Sequence, residues 1–181
     1  MIEQIKKFYQ HCDTNHCHKE FENSFYLHDH NNSKCEATSD SNNATCLIET
    51  SDNNKVDFIA IDECLISESN IKKCDALVAK EKVVWFIELK EVNWSINTSL
   101  NVKKRRNARL KAVKQLASTI NDFKSKGIDF QLYTVAGLIS FPPFALSNPT
   151  SLPSTSSQAR ILEFVNLCGY SELYEGNHIV L

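Results

Sequence analysis

Residues 71–90 have the sequence IKKCDALVAKEKVVWFIELK. Two apolar runs lie on either side of the charged residues 80–82, and only Asp75 and Glu88 interrupt them. Both runs are too short for an exposed helix and rich in strand-forming residues, so they predict two buried strands of one sheet. Because side chains alternate along a strand, Glu88 and Lys90 share a face, and Asp75 lies on the neighbouring strand. Charges in a buried sheet require partners or a metal ion.

The length of 181 residues predicts one domain, 1–181, with a core of its own. An apolar fraction of 42% and a charged fraction of 23% are ordinary for a globular protein. No run reaches the length of a transmembrane helix, and the amino terminus lacks the apolar segment of a signal peptide. We therefore expect a cytoplasmic protein that contacts no membrane, with its seven cysteines present as thiols.

The predicted fold class is α/β in the α+β sense, with a mixed central sheet flanked by helices. A Cys/His- and Asn/Ser-rich segment at about 11–54 is expected to be mostly loop or an insertion, with one short helix near 19–26. The other predicted elements are a helix at 2–9, a strand at 56–66, the central strand pair, a long helix at 102–126, a strand at 130–141, a loop at 145–157, a helix at 158–168 and an edge strand at 173–181.

The placement of Asp75, Glu88 and Lys90 resembles the core of the PD-(D/E)xK nuclease superfamily. In that group an Asp heads one strand and Glu-x-Lys ends the next, as in restriction endonucleases and Holliday-junction resolvases. The resemblance covers about residues 56–140 and rests on these three residues, with Cys74 where the family often has Pro. It implies a restriction-endonuclease-like fold and a catalytic role for all three.

The residue types agree with that chemistry. Asp75 and Glu88 offer hard oxygen ligands for Mg²⁺ or Mn²⁺, which would polarise a phosphate and lower the pKa of a bound water. Lys90 would orient or deprotonate the water and stabilise developing charge. The alternative is a structural salt bridge between Lys90 and an acid, because short Glu-x-Lys sequences are common by chance.

Families of this kind often add another acid from an earlier element, and Glu63, Asp62 and Glu49 are the candidates here. On a strand, Asp62 and Glu63 would point to opposite faces, so at most one of them would reach the site. The alternative for each is a solvated surface acid.

The helix after the Glu-x-Lys strand carries two further candidate features. Gln115 matches the position at which related nucleases often direct a Gln or Lys at the metal or substrate. The first half of the helix, residues 103–114, also holds seven cations without an acid, which favours a phosphate-binding surface over a merely solvated face. These cations are Lys103, Lys104, Arg105, Arg106, Arg109, Lys111 and Lys114.

A structural Zn²⁺ site is a weaker hypothesis for the segment 11–54. One pair of ligands would be Cys12 with Cys17 or His16, and the other Cys35 with Cys46 or a nearby His. Their spacing matches no standard zinc finger, so buried thiols and scattered imidazoles are the alternative. Cys64, Cys74 and Cys168 lie in apolar runs and are expected to be core thiols.

Two functions remain open from the sequence. The first is a Mg²⁺-dependent nuclease acting on nucleic acid, with DNA favoured over RNA, in a bacterial defence or repair system. The second is a catalytically inactive nuclease-fold module that binds nucleic acid or a protein. Domains of this size commonly act as a homodimer or within a larger effector complex.

Overall fold

The computed structural model describes residues 1–29, 33–42, 44–52, 54–68, 70–90, 99–141 and 155–181, with side chains from 103 and 157 in the last two ranges. It contains three helices, α1 (Ile2–Phe8), α2 (Ser99–Ser125) and α3 (Thr155–Cys168). The strands are β1 (His18–Phe21), β2 (Phe25–His28), β3 (Glu36–Thr38), β4 (Cys46–Glu49), β5 (Val56–Ala60), β6 (Ala76–Lys80), β7 (Val83–Leu89), β8 (Thr134–Ser140), β9 (Glu172–Glu175) and β10 (His178–Val180).

The central sheet has six strands in the order β1-β5-β6-β7-β8-β9. The first four strands of this order pair antiparallel, and β7, β8 and β9 pair in parallel. From residue 56 onward the order is β-β-β-α-β-α-β-β, and the mixed α+β architecture is confirmed. The prediction of one edge strand at 173–181 is wrong, because this segment forms β9 and β10, which belong to different sheets. The predicted loop at 145–157 lies almost entirely outside the described residues.

The helices pack on the face of the central sheet that includes Phe86 and Glu88. Phe86 of β7 contacts Phe123 of α2, with ring centroids 5.7 Å apart. Side chains of α2 and α3 come close to Gly137 of β8. A Cβ atom added at this position would lie 3.2 Å from Phe164 of α3 and 3.3 Å from Leu116 of α2. The absence of a side chain at this position therefore lets α2 and α3 come down onto the sheet.

A second sheet, in the order β10-β4-β2-β3, covers the opposite face. Phe25 of β2 packs edge-on against Phe58 of β5, and Ser140 Oγ donates to Thr45 O at 2.8 Å. The prediction that 11–54 is mostly loop with a helix near 19–26 is wrong, because this segment forms β1 to β4. Strands of three or four residues between polar turns are too short to show a clear alternation.

The cysteine prediction is also wrong at two positions. Cys17 and Cys64 form a disulfide across 47 residues of chain, so they are not thiols and Cys17 cannot serve as a zinc ligand in this form. The other five cysteines are buried and free. The disulfide fixes the residue before β1 against the turn that follows β5.

The turn after β5 also departs from the prediction of a strand at 56–66. β5 ends at Ala60, and Glu63 has a φ of 56°, which is incompatible with an extended strand. A single parallel bridge joins Asp62 to Ile66. In the part of the chain that the structure describes, no helix combines the length and apolar character needed to cross a membrane.

Candidate active site

The two predicted metal-binding carboxylates lie at the same end of two adjacent antiparallel strands. Asp75 directly precedes β6, and Glu88 lies near the end of β7. The strands pair with Ala76 opposite Ile87, and Asp75 N donates to Ile87 O at 3.1 Å, so Asp75 lies just beyond the last paired position of β6. The strand pairing itself therefore brings the two carboxylates together.

Glu88 is completely buried, and its two oxygens have different surroundings. Oε1 accepts a hydrogen bond from Lys90 Nζ, whereas Oε2 is buried with no hydrogen-bond partner among the described residues. Burial, and then the charge of Asp75, raise the pKa of the Glu88 carboxyl well above its usual range, and Lys90 opposes this shift. An unsatisfied buried carboxylate oxygen is costly, so this atom is poised for a cation or a proton.

Asp75 is held by the backbone of the strand beside it. Its Oδ2 accepts the Leu89 N–H at 2.5 Å. Burial raises the pKa of Asp75 to about 7. The hydrogen bond from Leu89 and the charge of Lys90 oppose this rise. The charges of Asp29 and Asp62 add to it. Mutual repulsion of acids in a buried site is a common contributor to such a shift.

Lys90 connects the strand pair to α2. Its ammonium pairs with Glu88 and also donates to Gln115 Oε1 at 3.2 Å. Gln115 Nε2 in turn donates to Lys73 O at 2.9 Å, which fixes which end of the amide faces Lys90. The structure thus brings together all four predicted catalytic residues, Asp75, Glu88, Lys90 and Gln115.

Thr119 ties the same region of α2 to the start of the Asp75 segment. Its Oγ1 accepts the Cys74 N–H at 2.8 Å and donates to Gln115 O at 3.0 Å. Thr119 is fully buried, one turn after Gln115 on the same helix face. Sequence reasoning missed this residue, although its spacing from Gln115 was a usable signal.

The additional acid is best placed at Asp62. Lys73 Nζ lies 3.2 Å from Asp62 Oδ1 and 3.6 Å from Glu63 Oε1, so the two acids share a partner and do not point to opposite faces of a strand. The prediction that they diverge is therefore wrong, because the residues lie in a turn. Of the two, Asp62 is the one that contributes to the raised pKa values of Asp75 and Glu88.

Two other acids have clear positions. Asp29 directly follows β2, and its charge acts on Asp75, so the second sheet also contributes an acid near the site. It was missed because β2 was not predicted. Glu49, a candidate from the sequence, instead pairs with His178, with Oε2 2.6 Å from Nε2.

The predicted basic surface is only partly available to a ligand. Arg109 Nε donates to Glu175 Oε2 at 2.8 Å, and its guanidinium lies over the Phe141 ring. Lys114 Nζ lies 3.9 Å from Glu163. Arg105 is half-buried. The other four cations, Lys103, Lys104, Arg106 and Lys111, are exposed along α2.

The four cysteines considered as zinc ligands do not form a site in the described residues. Cys17 is in the disulfide, and Cys12, Cys35 and Cys46 belong to no group of three potential ligands there. Burial raises the pKa of Cys35 well above its usual range and that of Cys46 to about 12, so both favour the thiol over the metal-binding thiolate.

Comparison of the chain with protein-family models, curated proteins and solved structures finds no match to any of them.

Proposed function

We propose that this chain is a metal-dependent nuclease with a restriction-endonuclease-like core, which hydrolyses phosphodiester bonds in nucleic acid, with DNA favoured. The observation that carries the proposal is the buried Oε2 of Glu88 beside Asp75, an oxygen without a hydrogen-bond partner in the described part of the chain. Burial raises the pKa of both carboxyls, so each loses a proton less readily than an exposed carboxyl does. A divalent ion would favour the ionised carboxylates and satisfy this oxygen.

Asp75 and Glu88 are the residues that would hold the ion, and their all-oxygen donor set suits Mg²⁺ or Mn²⁺. When bound, such an ion supplies Lewis-acid activation of the phosphate and a more acidic water. The charge of Asp62 contributes to the raised pKa values of Asp75 and Glu88, so Asp62 adds negative charge near the site, where it pairs with Lys73.

Lys90 and Gln115 have roles that follow from their contacts. Lys90 is held near the carboxylates by Glu88 and Gln115, so its ammonium is placed to stabilise negative charge on a phosphate oxygen. Gln115 positions Lys90, because its amide is itself fixed by Lys73 O. In this assignment Lys90 touches the reacting atoms and Gln115 is a positioning residue.

The proposal is tested by cleavage assays of the metal-free protein on single- and double-stranded DNA and RNA, with and without Mg²⁺ or Mn²⁺. We expect cleavage only with added metal. A crystal grown with Mn²⁺ should show anomalous scattering from an ion at Glu88 Oε2. A protein that cuts none of these substrates and binds no ion there would refute the nuclease proposal.

Exposed cations on α2 are expected to bind the phosphate backbone. Replacing Lys103, Lys104 and Lys111 by Ala should weaken nucleic-acid binding and reduce the slope of log affinity against log salt. For duplex DNA, we expect the slope to fall by about 0.9 for each phosphate that the variant no longer neutralises. Fluorescence anisotropy over a salt series measures both quantities.

The matched control removes the same charge elsewhere. Lys7, Lys72 and Lys82 are exposed lysines outside α2, and their replacement by Ala changes the net charge equally. If this control lowers the salt slope as much as the α2 variant does, binding depends on overall charge and not on the α2 surface.

The Glu88–Lys90 contact also suits the second candidate, a catalytically inactive nuclease-fold module. In that case the pair is a structural salt bridge. Removing one partner of a buried salt bridge strongly destabilises the folded protein. Thermal melts of variants at Glu88 and Lys90 therefore separate the two candidates, as argued below.

A further inference from the structure

A second group of potential metal ligands lies at the edge of the central sheet, on strands other than those that hold Asp75 and Glu88. β1 is the outermost strand, and its residues His18 and Glu20 share a face because they are two apart. The register pairs Glu20 with Asp57 of β5. Asp57 is therefore on the same face, directly opposite Glu20 and diagonal to His18.

The ligand atoms of these three side chains all lie within 4.8 Å of one another. His18 Nε2 is 2.7 Å from Asp57 Oδ1, and Glu20 Oε2 accepts from Lys55 Nζ at 2.7 Å. A bound ion with ligands at about 2 Å spaces tetrahedral donor atoms roughly 3.3 Å apart, so small side-chain movements suffice to surround one. Lys55 is exposed and can swing away from Glu20.

We propose that His18, Glu20 and Asp57 bind a transition-metal ion of the Zn²⁺ class, with water or a ligand in the fourth position. One imidazole nitrogen with two carboxylates suits Zn²⁺, Co²⁺ or Mn²⁺ better than Mg²⁺, which prefers oxygen alone. Three protein ligands leave one position open. Glu20 is exposed, so an ion can reach this ligand from solvent.

The backbone around the cluster is fixed before any metal arrives. Ala60 N donates to Cys17 O at 2.9 Å, and the disulfide of Cys17 joins the residue before His18 to the turn after β5. The four paired positions of β1 and β5 hold Glu20 and Asp57 in register. A preorganised backbone lowers the cost of binding, as a metal site on two rigid strands requires.

The test is a titration of the metal-free protein with ZnCl₂ and with CoCl₂, in wild type and in the variants His18→Gln and Asp57→Asn. We expect wild type to bind Zn²⁺, and each variant to lower the Zn²⁺ affinity by more than about 100-fold. Loss of a residue that only supports a ligand lowers metal affinity by about 100-fold at most. Bound Co²⁺ should show visible bands of a tetrahedral ion without a thiolate charge-transfer band, which excludes the free cysteines.

His178→Gln is the matched control. His178 and Glu49 form a similar His–carboxylate pair across two paired strands, yet belong to no three-ligand group in the described parts of the chain. This variant should bind Zn²⁺ as wild type does. So should Glu3→Gln, which changes an exposed acid of α1 outside both proposed metal sites.

Folding is monitored by circular dichroism, and Zn²⁺ should raise the melting temperature of wild type but not of Asp57→Asn. Wild-type protein that binds no Zn²⁺ would overturn the proposal. Undiminished Zn²⁺ binding in folded Asp57→Asn would do the same, as would a thiolate band in the Co²⁺ spectrum.

Discussion

Replacing Glu88 by Gln is expected to abolish metal-dependent cleavage and to leave the fold intact. The amide keeps the shape of the side chain but removes the charge that would recruit the ion at the buried Oε2. We expect the cleavage rate to fall by about 1,000-fold or more. Removal of a single group that stabilises the transition state electrostatically already lowers the rate by up to about that factor. Cleavage assays with Mg²⁺ and Mn²⁺, beside thermal melts, provide the measurement.

The control for this change is Glu3→Gln, the same substitution at an exposed position of α1. It should cleave as wild type does. Lys90→Ala is expected to abolish cleavage while metal binding persists, because Lys90 acts on the phosphate and not as a ligand. Should wild type be inactive and both site variants melt early, the pair is a structural salt bridge and the binding-module candidate is correct.

The second large effect concerns stability. We expect the free energy of unfolding to depend on pH, and we expect bound metal to remove this dependence. The folded state raises the pKa of Asp75 to about 7, against an ordinary value near 4. Between these pH values the folded state holds more protons than the unfolded state, so the free energy of unfolding falls as pH rises through the interval. The contribution of Asp75 is on the order of a few kcal/mol.

Asp75→Asn isolates this contribution, because the amide oxygen can still accept the Leu89 N–H but does not titrate. Denaturant unfolding of both proteins from pH 4 to 8 should show wild type losing stability relative to the variant. Added Mg²⁺ should restore wild type near pH 8 and leave the variant unchanged. A constant difference across the pH range would show that Asp75 titrates normally in the fold.

The strand pair that holds the candidate site could be predicted because its signal is local. β6 and β7 are apolar runs separated by a short charged turn, and alternation along them correctly placed Glu88 with Phe86 on one face. Antiparallel pairing of consecutive strands then brings the start of β6, with Asp75 before it, beside the end of β7 that holds Glu88. Gln115 was predicted from the resemblance to the nuclease superfamily, whose members often carry a Gln or Lys on the helix after the Glu-x-Lys strand.

The rest of the site depends on long-range contacts that a sequence pattern does not encode. Asp29 reaches Asp75 only because β2 belongs to a second sheet, and strands this short have no readable alternation. Lys73 was not predicted as a site residue, although it contacts Asp62 through its ammonium and Gln115 through its carbonyl. Arg109 pairs with Glu175 of β9, which is 66 residues away in the sequence.

The pairing of β10 with β4 sets the order in which the nascent chain can fold. Leu181 N donates to Glu49 O, and Ser51 Oγ donates to Leu181 O across 130 residues of chain. At roughly 5–20 residues per second, the ribosome delivers this partner about 6 to 26 seconds after β4 emerges. Until then β4 remains an open edge that can pair with a neighbouring nascent chain. The second sheet is thus finished late, and the interval before it closes is when the polypeptide is most exposed to misassembly.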